Sequence, residues 1–313
     1  MPPLEGDYMK FFIGLTDYDW YSELRQQNYD EVNFWRPGST RFQALQPNDL
    51  FLFQLKKPYY AIVGEGFFVR YSYVPIDLAW KAFGVKNGTQ TREAFVDRIM
   101  KYREKNRIIT TLPAIGCIIL TQPFFFDELD WIRQPGDWPS NAVVGKSYDT
   151  SISSVAQRVY EQVQERLSIQ LQSLGDQSSN ERYTEGITKL RLGQGAFRIV
   201  ITELYNRRCA VSGEKTLPVL EAAHIKPYAM NGENAASNGI LLRSDIHTLF
   251  DAGYVTVTDQ HRIEVSKRLH DDFGNGKDYY HYHGQKLVVE PSDHLLMPAR
   301  DNLRWHNERI YLG

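Results

Sequence analysis

Cysteine is scarce in this chain, with two among 313 residues, Cys117 and Cys209. Two cannot build a disulfide framework or a four-thiolate metal site, and the scarcity suits a reducing compartment. No apolar run approaches the roughly 20 residues that a membrane span needs, so no membrane partner is expected. The start, "MPPLEGDYMKFF", lacks a basic stretch followed by an apolar core, so no secretory signal is expected and a cytoplasmic location is. Charge of one sign is also missing: 36 Lys and Arg face 38 Asp and Glu, a net charge of −2. That argues against a protein that coats nucleic acid through bulk electrostatics but leaves room for local patches. No internal repeat is present, and Gly64-x-Gly66 lacks the third glycine and following helix of a dinucleotide site. Histidine is absent from the first 223 residues; all eight lie from His224 onward.

The length predicts two domains, and 42% hydrophobic with 24% charged residues is ordinary for globular protein. The first part alternates short apolar runs with turn residues. Phe11–Leu15, Leu50–Leu55, Tyr60–Phe68 and Ile115–Leu120 read as strands, the second and third joined by a hairpin at Lys57-Pro58. Trp20–Gln27 (capped by Asp17 or Asp19), Tyr73–Phe83 and Thr91–Lys105 read as helices. From Ser151 to Leu174, apolar residues recur every four positions at Val155, Val159, Val163, Leu167 and Leu171, which predicts a helix read here as a spacer. Gly175–Asn180 is the best linker. The fold class is therefore α+β: residues 1–148, a helical linker over 149–185, and a second domain over 186–313.

The chemistry concentrates in one stretch. Leu217–Ile225 is an extended apolar run ending at His224, and Lys226-Pro227 opens a loop because the residue before proline avoids the helical region. Asn231-Gly232 and Asn238-Gly239 signal turns. Ile240–Leu242 reads as a short strand, and Ser244 or Asp245 would cap a helix through His247 and Asp251, ended by Gly253. His247 and Asp251, four apart, share one helix face and could offer nitrogen and oxygen to one ion. Hydrolysing a phosphodiester needs a base near neutrality and a cation on the phosphate, and histidine supplies the first. Taken singly, a histidine is more often structural; the ordered set argues for function. Lys189, Arg191, Arg198, Arg207 and Arg208 precede it as a patch suited to the DNA backbone.

Phe197 to Val257, "FRIVITELYNRRCAVSGEKTLPVLEAAHIKPYAMNGENAASNGILLRSDIHTLFDAGYVTV", resembles the HNH nuclease family with its ββα-metal fold, closest to the branch in bacterial restriction enzymes. The resemblance implies His224 as general base, Asn238 as the residue that pins the loop aiming it, and His247 as a ligand of one divalent ion (Mg, Mn, Ni or Co). Two departures stand out. Ala223 occupies the place where many relatives carry a second ligand, so Asp251, preferred for its spacing, Glu221 or water must complete the shell. Ser212 follows Cys209 where relatives have a second cysteine, so no structural zinc is expected. His281 and His283 alternate with tyrosines, which predicts one strand face.

The segments "FFIGLTDYDW", "VNFWRPGSTRFQALQPNDLFLFQL" and "AIVGEGFF" resemble the EVE domain of the PUA-like group, a β-barrel-like fold with helices. By that resemblance the first domain would read a flipped modified base, methyl- or hydroxymethylcytosine or alternatively methyladenine. Trp35 would be the chief cage wall, Trp20 and Phe68 further walls, and Thr16, Asp17 and Ser39 would supply edge hydrogen bonds. The combination resembles prokaryotic modification-dependent restriction endonucleases of the EVE–HNH type. Its implied partners are modified double-stranded DNA and a second copy of the chain. The competing readings are an HNH nuclease on unmodified nucleic acid and a non-catalytic reader with a degenerate nuclease fold.

Overall fold

The computed structural model describes residues 9–108, 113–173 and 192–313. The chain divides into two compact units, Met1–Leu192 and Gly193–Gly313. Gly175–Asn180, Lys189 and Arg191 lie outside the described residues. Among the described residues no helix is long and apolar enough to cross a membrane.

The first unit is built on one curved sheet. Its strands are β1 (Lys10–Thr16), β2 (Glu31–Arg36), β3 (Leu50–Leu55), β4 (Ala61–Pro75), β5 (Ala114–Phe125), β6 (Ile132–Arg133) and β7 (Gly145–Asp149). Their order is β2-β5-β4-β3-β1-β7, with β6 also on β4. All pairs are antiparallel except β1 with β3. The helices are α1 (Tyr18–Leu24), α2 (Ile76–Phe83), α3 (Arg92–Lys105) and α4 (Ser154–Ser173). Leu50 to Leu55 shows no apolar–polar alternation because this strand is buried on both faces. Phe51, Phe53 and Leu55 join Trp20, Phe34 and Phe68 in one core, while Leu50 and Leu52 join Phe11, Ile13 and Phe67 in another.

α4 belongs to that second core. Ala156, Val159, Val163 and Leu167 are buried in it against Phe11, Leu52 and Ile132, so the helix expected as a spacer is a packed layer of the first unit. Its four-residue repeat is the stripe of an amphipathic helix seeking a sheet; the side chain of Leu171 lies outside the described residues. β4 runs seven residues beyond the expected Phe68 end, to Pro75, and α2 begins only at Ile76. Tyr71 to Pro75 pair with Ala114 to Ile118 of β5, and two register shifts at Glu65/Phe67 and Phe68/Arg70 bend the strand.

The second unit begins with α5 (Gln194–Leu204), followed by the antiparallel hairpin β8 (Leu220–His224) and β9 (Gly239–Arg243) and by α6 (Ser244–Asp251). A second small sheet, β10 (Val255–Val257) with β11 (Ile263–Val265), precedes α7 (Arg268–Phe273), α8 (Lys277–Tyr280) and α9 (Arg300–Arg309). α6 carries no side-chain N-cap: Ser244 is its first residue, and Asp245 is instead held by Arg243 at 2.6 Å. Gly253 closes the helix in the left-handed region, φ 80°. Gly239 is not a turn glycine. It opens β9 in extended backbone, and a Cβ there would meet Ile201 Cδ1 at 2.3 Å, so glycine lets α5 lie close on the hairpin. His281 and His283 do not share a strand face. They lie in a turn after α8, where His283 Nδ1 accepts the Val265 N–H at 3.1 Å and His281 packs on Tyr282.

Candidate nuclease site and base pocket

His224 ends β8, and its ring is fixed from two sides. It stacks on Phe197 of α5 with centroids 4.0 Å apart and planes 7° from parallel, and its Nε2 lies 2.8 Å from Asn234 Oδ1. Burial holds its pKa below the ordinary histidine value, with His247 acting in the same direction; the Asn234 hydrogen bond and the Asp251 charge oppose this. The ring is thus neutral near neutrality and able to accept a proton.

The loop from Lys226 to Asn238 is closed by Asn238, which is 2% exposed. Its Oδ1 accepts the Lys226 N–H at 2.9 Å, and its Nδ2 donates to the carbonyls of Lys226 and Glu233, each at 2.9 Å. Asn231 sits at φ 61°, and at Gly232 a Cβ would stand 1.9 Å from the Lys226 carbonyl oxygen, so this turn accepts only glycine. The loop's geometry is therefore set by backbone contacts along its length.

His247 projects from α6 between two carboxylates. Its Nδ1 is 2.7 Å from Glu221 Oε2 across the hairpin, and its Nε2 is 3.3 Å from Asp251 Oδ2 one turn on. Burial raises the Asp251 pKa, opposed by the two histidines. His224, His247 and Asp251 line one cavity of about 290 Å³, together with Ile225, His306 and Ile310. Glu221 engages the ring nitrogen of His247 remote from Asp251. The donor set of Nε2 and a carboxylate oxygen side by side suits a divalent cation of the Mg, Mn, Ni or Co kind. Among the described residues no three His, Cys, Asp or Glu side chains are grouped to hold a metal ion. Cys209, fully buried, accepts the backbone N–H groups of Ser212 at 3.3 Å and Arg243 at 3.2 Å, tying the preceding turn to β9 without a second thiol.

Of the described basic residues, Arg207 is paired with Glu203 at 2.7 Å, Arg198 lies on α5, and Arg208 follows it. Three residues of the site had no sequence signal as site groups. Asn234 stands in a polar loop, Lys226 holds its Nζ 5.7 Å from the Trp305 ring, and His306 stands near the end of the chain among polar residues.

In the first unit a separate cavity of about 520 Å³ is lined by Thr16, Asp17, Trp35, Pro37, Lys56 and Tyr102 among others. Trp35 belongs to β2, paired opposite Cys117. Its Nε1–H donates to the Asn87 carbonyl at 3.0 Å, and Phe95 and Tyr102 meet it edge-on, each at 5.7 Å. Trp20 reaches the cavity but is 3% exposed, wedged among Phe34, Phe53 and Phe125. Phe68 does not line it; this ring is buried in the core against Phe42. Ser39 lies outside it, between Gly38 and Thr40, which do line it. Asp17 is already engaged: one oxygen caps α1 through the Trp20 N–H, the other accepts from Tyr102 Oη at 2.6 Å. Tyr102 in turn accepts from Lys56 Nζ at 3.1 Å, whose pKa burial lowers. Tyr102 and Lys56 were not legible as pocket groups, being far apart in sequence and brought together by α3.

The hairpin-and-helix that presents His224 and His247 defines the ββα class of hydrolytic site. Residues 209–258 match the family model described as HNH endonuclease, so the second unit carries an HNH endonuclease domain. No curated protein matches the chain. Among solved structures, ASCH from Zymomonas mobilis is similar at 8% identity and a TM-score of 0.32, over 47% of this chain and 91% of that one. A modification-dependent restriction endonuclease, TagI, is similar at 14% identity and a TM-score of 0.27, over 91% of this chain and 77% of that one.

Proposed function

We propose that the chain is a modification-dependent DNA endonuclease. The observation that carries this reading is the convergence of His224, His247 and Asp251 on one cavity within the segment that matches the HNH endonuclease model. His224 accepts the proton of the attacking water as its oxygen bonds to phosphorus and the opposite P–O bond breaks. Asn238 keeps the loop, and with it the imidazole, in place. Glu221 holds His247 in the orientation that presents Nε2 beside Asp251. A divalent cation held by His247 and Asp251 would supply charge compensation on the phosphate. Arg198 on α5 and Arg208 just after it, together with Lys189 and Arg191 earlier in the sequence, would meet the DNA backbone.

The cavity of the first unit is the proposed reader. Its volume falls within the roughly 300–1,000 Å³ of small-ligand pockets, and Trp35 and Tyr102 give aromatic surface on which a flipped base gains stacking energy. Methyl- or hydroxymethylcytosine in double-stranded DNA is the proposed target. Thr16 and Lys56 are better placed than Ser39 to meet a base edge. Because each chain carries one nuclease site, a homodimer is the proposed cutting form.

The test is a paired digestion of DNA that is identical except for cytosine modification, with magnesium, manganese, nickel or cobalt. Cutting of the modified DNA alone, abolished by chelator and by His224→Ala, is the expected result. Equal cutting of both DNAs would remove the reader and leave a nuclease on ordinary nucleic acid. A second reading, a reader with a degenerate nuclease fold, is favoured by Ala223 and by the lack of a three-ligand cluster among the described residues. Binding of modified DNA without cutting, and without heat of manganese binding, would select it.

A further inference from the structure

Among the described residues, Asn234 is the one side chain hydrogen-bonded to a ring nitrogen of His224. The ring lies flat on Phe197, and only Nε2 is hydrogen-bonded, to Asn234 Oδ1 at 2.8 Å. Nδ1 has no hydrogen-bond partner among the described residues. An amide oxygen only accepts, so Nε2 must carry the proton, and a neutral imidazole then keeps its lone pair on Nδ1.

The loop that delivers Asn234 is unusually determined. Met230 and Gly232 N–H groups return to the Pro227 carbonyl at 2.9 and 3.0 Å. The Asn238 amide fastens Lys226 on one arm of the loop and Glu233, the residue before Asn234, on the other. The bond from Asn238 to the Glu233 carbonyl thus sets the backbone from which Asn234 reaches His224. Asn238, expected to aim His224, does so through a second asparagine. We infer that Asn234 is a positioning residue that locks His224 in its Nε2–H tautomer and so makes Nδ1 the nitrogen that takes the proton from water. This rests on the nuclease reading above for the word "water", but the tautomer itself does not.

The experiment uses the full chain labelled with ¹⁵N-histidine. The His224 signals are assigned by their loss in His224→Ala, and the ring nitrogen shifts report the tautomer. Wild type should show Nε2 protonated, and Asn234→Ala should show a mixture of tautomers. Cleavage of modified DNA by Asn234→Ala should fall in kcat by roughly 10–100-fold with KM little changed, the size of effect seen when an orienting partner of a site histidine is lost. Asn234→Asp, which keeps an acceptor at the same place, should recover most of both properties. A wild-type His224 protonated on Nδ1, or an Asn234→Ala variant with wild-type kcat, would overturn the inference. If wild type cuts no DNA, the nuclease reading fails, and the ring shifts still decide whether Asn234 sets the tautomer.

Discussion

Two tryptophans reach the same cavity of the first unit and do different physical work. Trp20 is buried to 3% exposure among Phe34, Phe53 and Phe125, and a Cβ on Gly88 would stand 2.3 Å from its indole. Trp35 is only partly buried, anchored by one hydrogen bond to Asn87 and braced edge-on by Phe95 and Tyr102. Trp20→Ala should therefore cost about 3–5 kcal/mol of stability, read from denaturant melts, whatever DNA is present. Trp35→Ala should leave the melt near wild type and weaken binding to modified DNA by about 1–3 kcal/mol, the worth of one stacked base, with little change on unmodified DNA. Competition binding on the two DNAs separates these outcomes. The indole that lines the cavity and is only partly buried is the one available to a ligand.

Among the elements, β8, β9 and α6 could be read from the sequence because their signals are local. A proline in the loop after His224, the glycines at 232 and 253 and the four-residue spacing of His247 and Asp251 act within a few residues. What could not be read depended on distant partners. Tyr71 to Pro75 extend β4 because β5 offers them a ladder; alone, Tyr73 to Pro75 read as the start of a helix. His283 alternates with tyrosines as a strand would, yet a backbone N–H from β11 captures it in a turn. α4 announced its apolar stripe but not the sheet beneath it. His306 is the strongest such case. It ties α9 to two other elements: Nε2–H donates to the Phe250 carbonyl at 3.1 Å, Nδ1 accepts from Thr256 Oγ1 at 2.8 Å, and the ring stacks on Phe250 at 3.8 Å. Burial pushes its pKa down to about 4. The folded protein thus resists protonating it while the unfolded chain, near 6.5, does not. Its contribution is complete above pH 6.5 and is lost as pH falls towards 4, up to about 3 kcal/mol. His306→Gln should melt lower at pH 7.5 and lose less on acidification, so the two melting curves should converge between pH 6.5 and 4.

At the scale of the whole molecule, one chain carries one cavity bearing His224 and His247, and a duplex has two strands. A single site leaves a nick; two sites brought together by two-fold symmetry cut both strands in one encounter. The distinction can be measured with the intact chain and its own inactive form. Wild type and His224→Ala would be mixed in equal amounts, allowed to exchange, and added to a supercoiled plasmid carrying modified cytosine. If cutting requires a dimer, about half of the dimers will hold one live and one dead site. Nicked circles should then accumulate well beyond those made by wild type alone, at the expense of linear DNA. If each chain acts alone, the dead protein only dilutes or competes. The ratio of nicked to linear product at equal extent of cutting should then match wild type, and the homodimer would have to be abandoned. The assay also bears on the reader, because unmodified plasmid should remain supercoiled in every mixture if the aromatic cavity of the first unit selects the DNA that the second unit cuts.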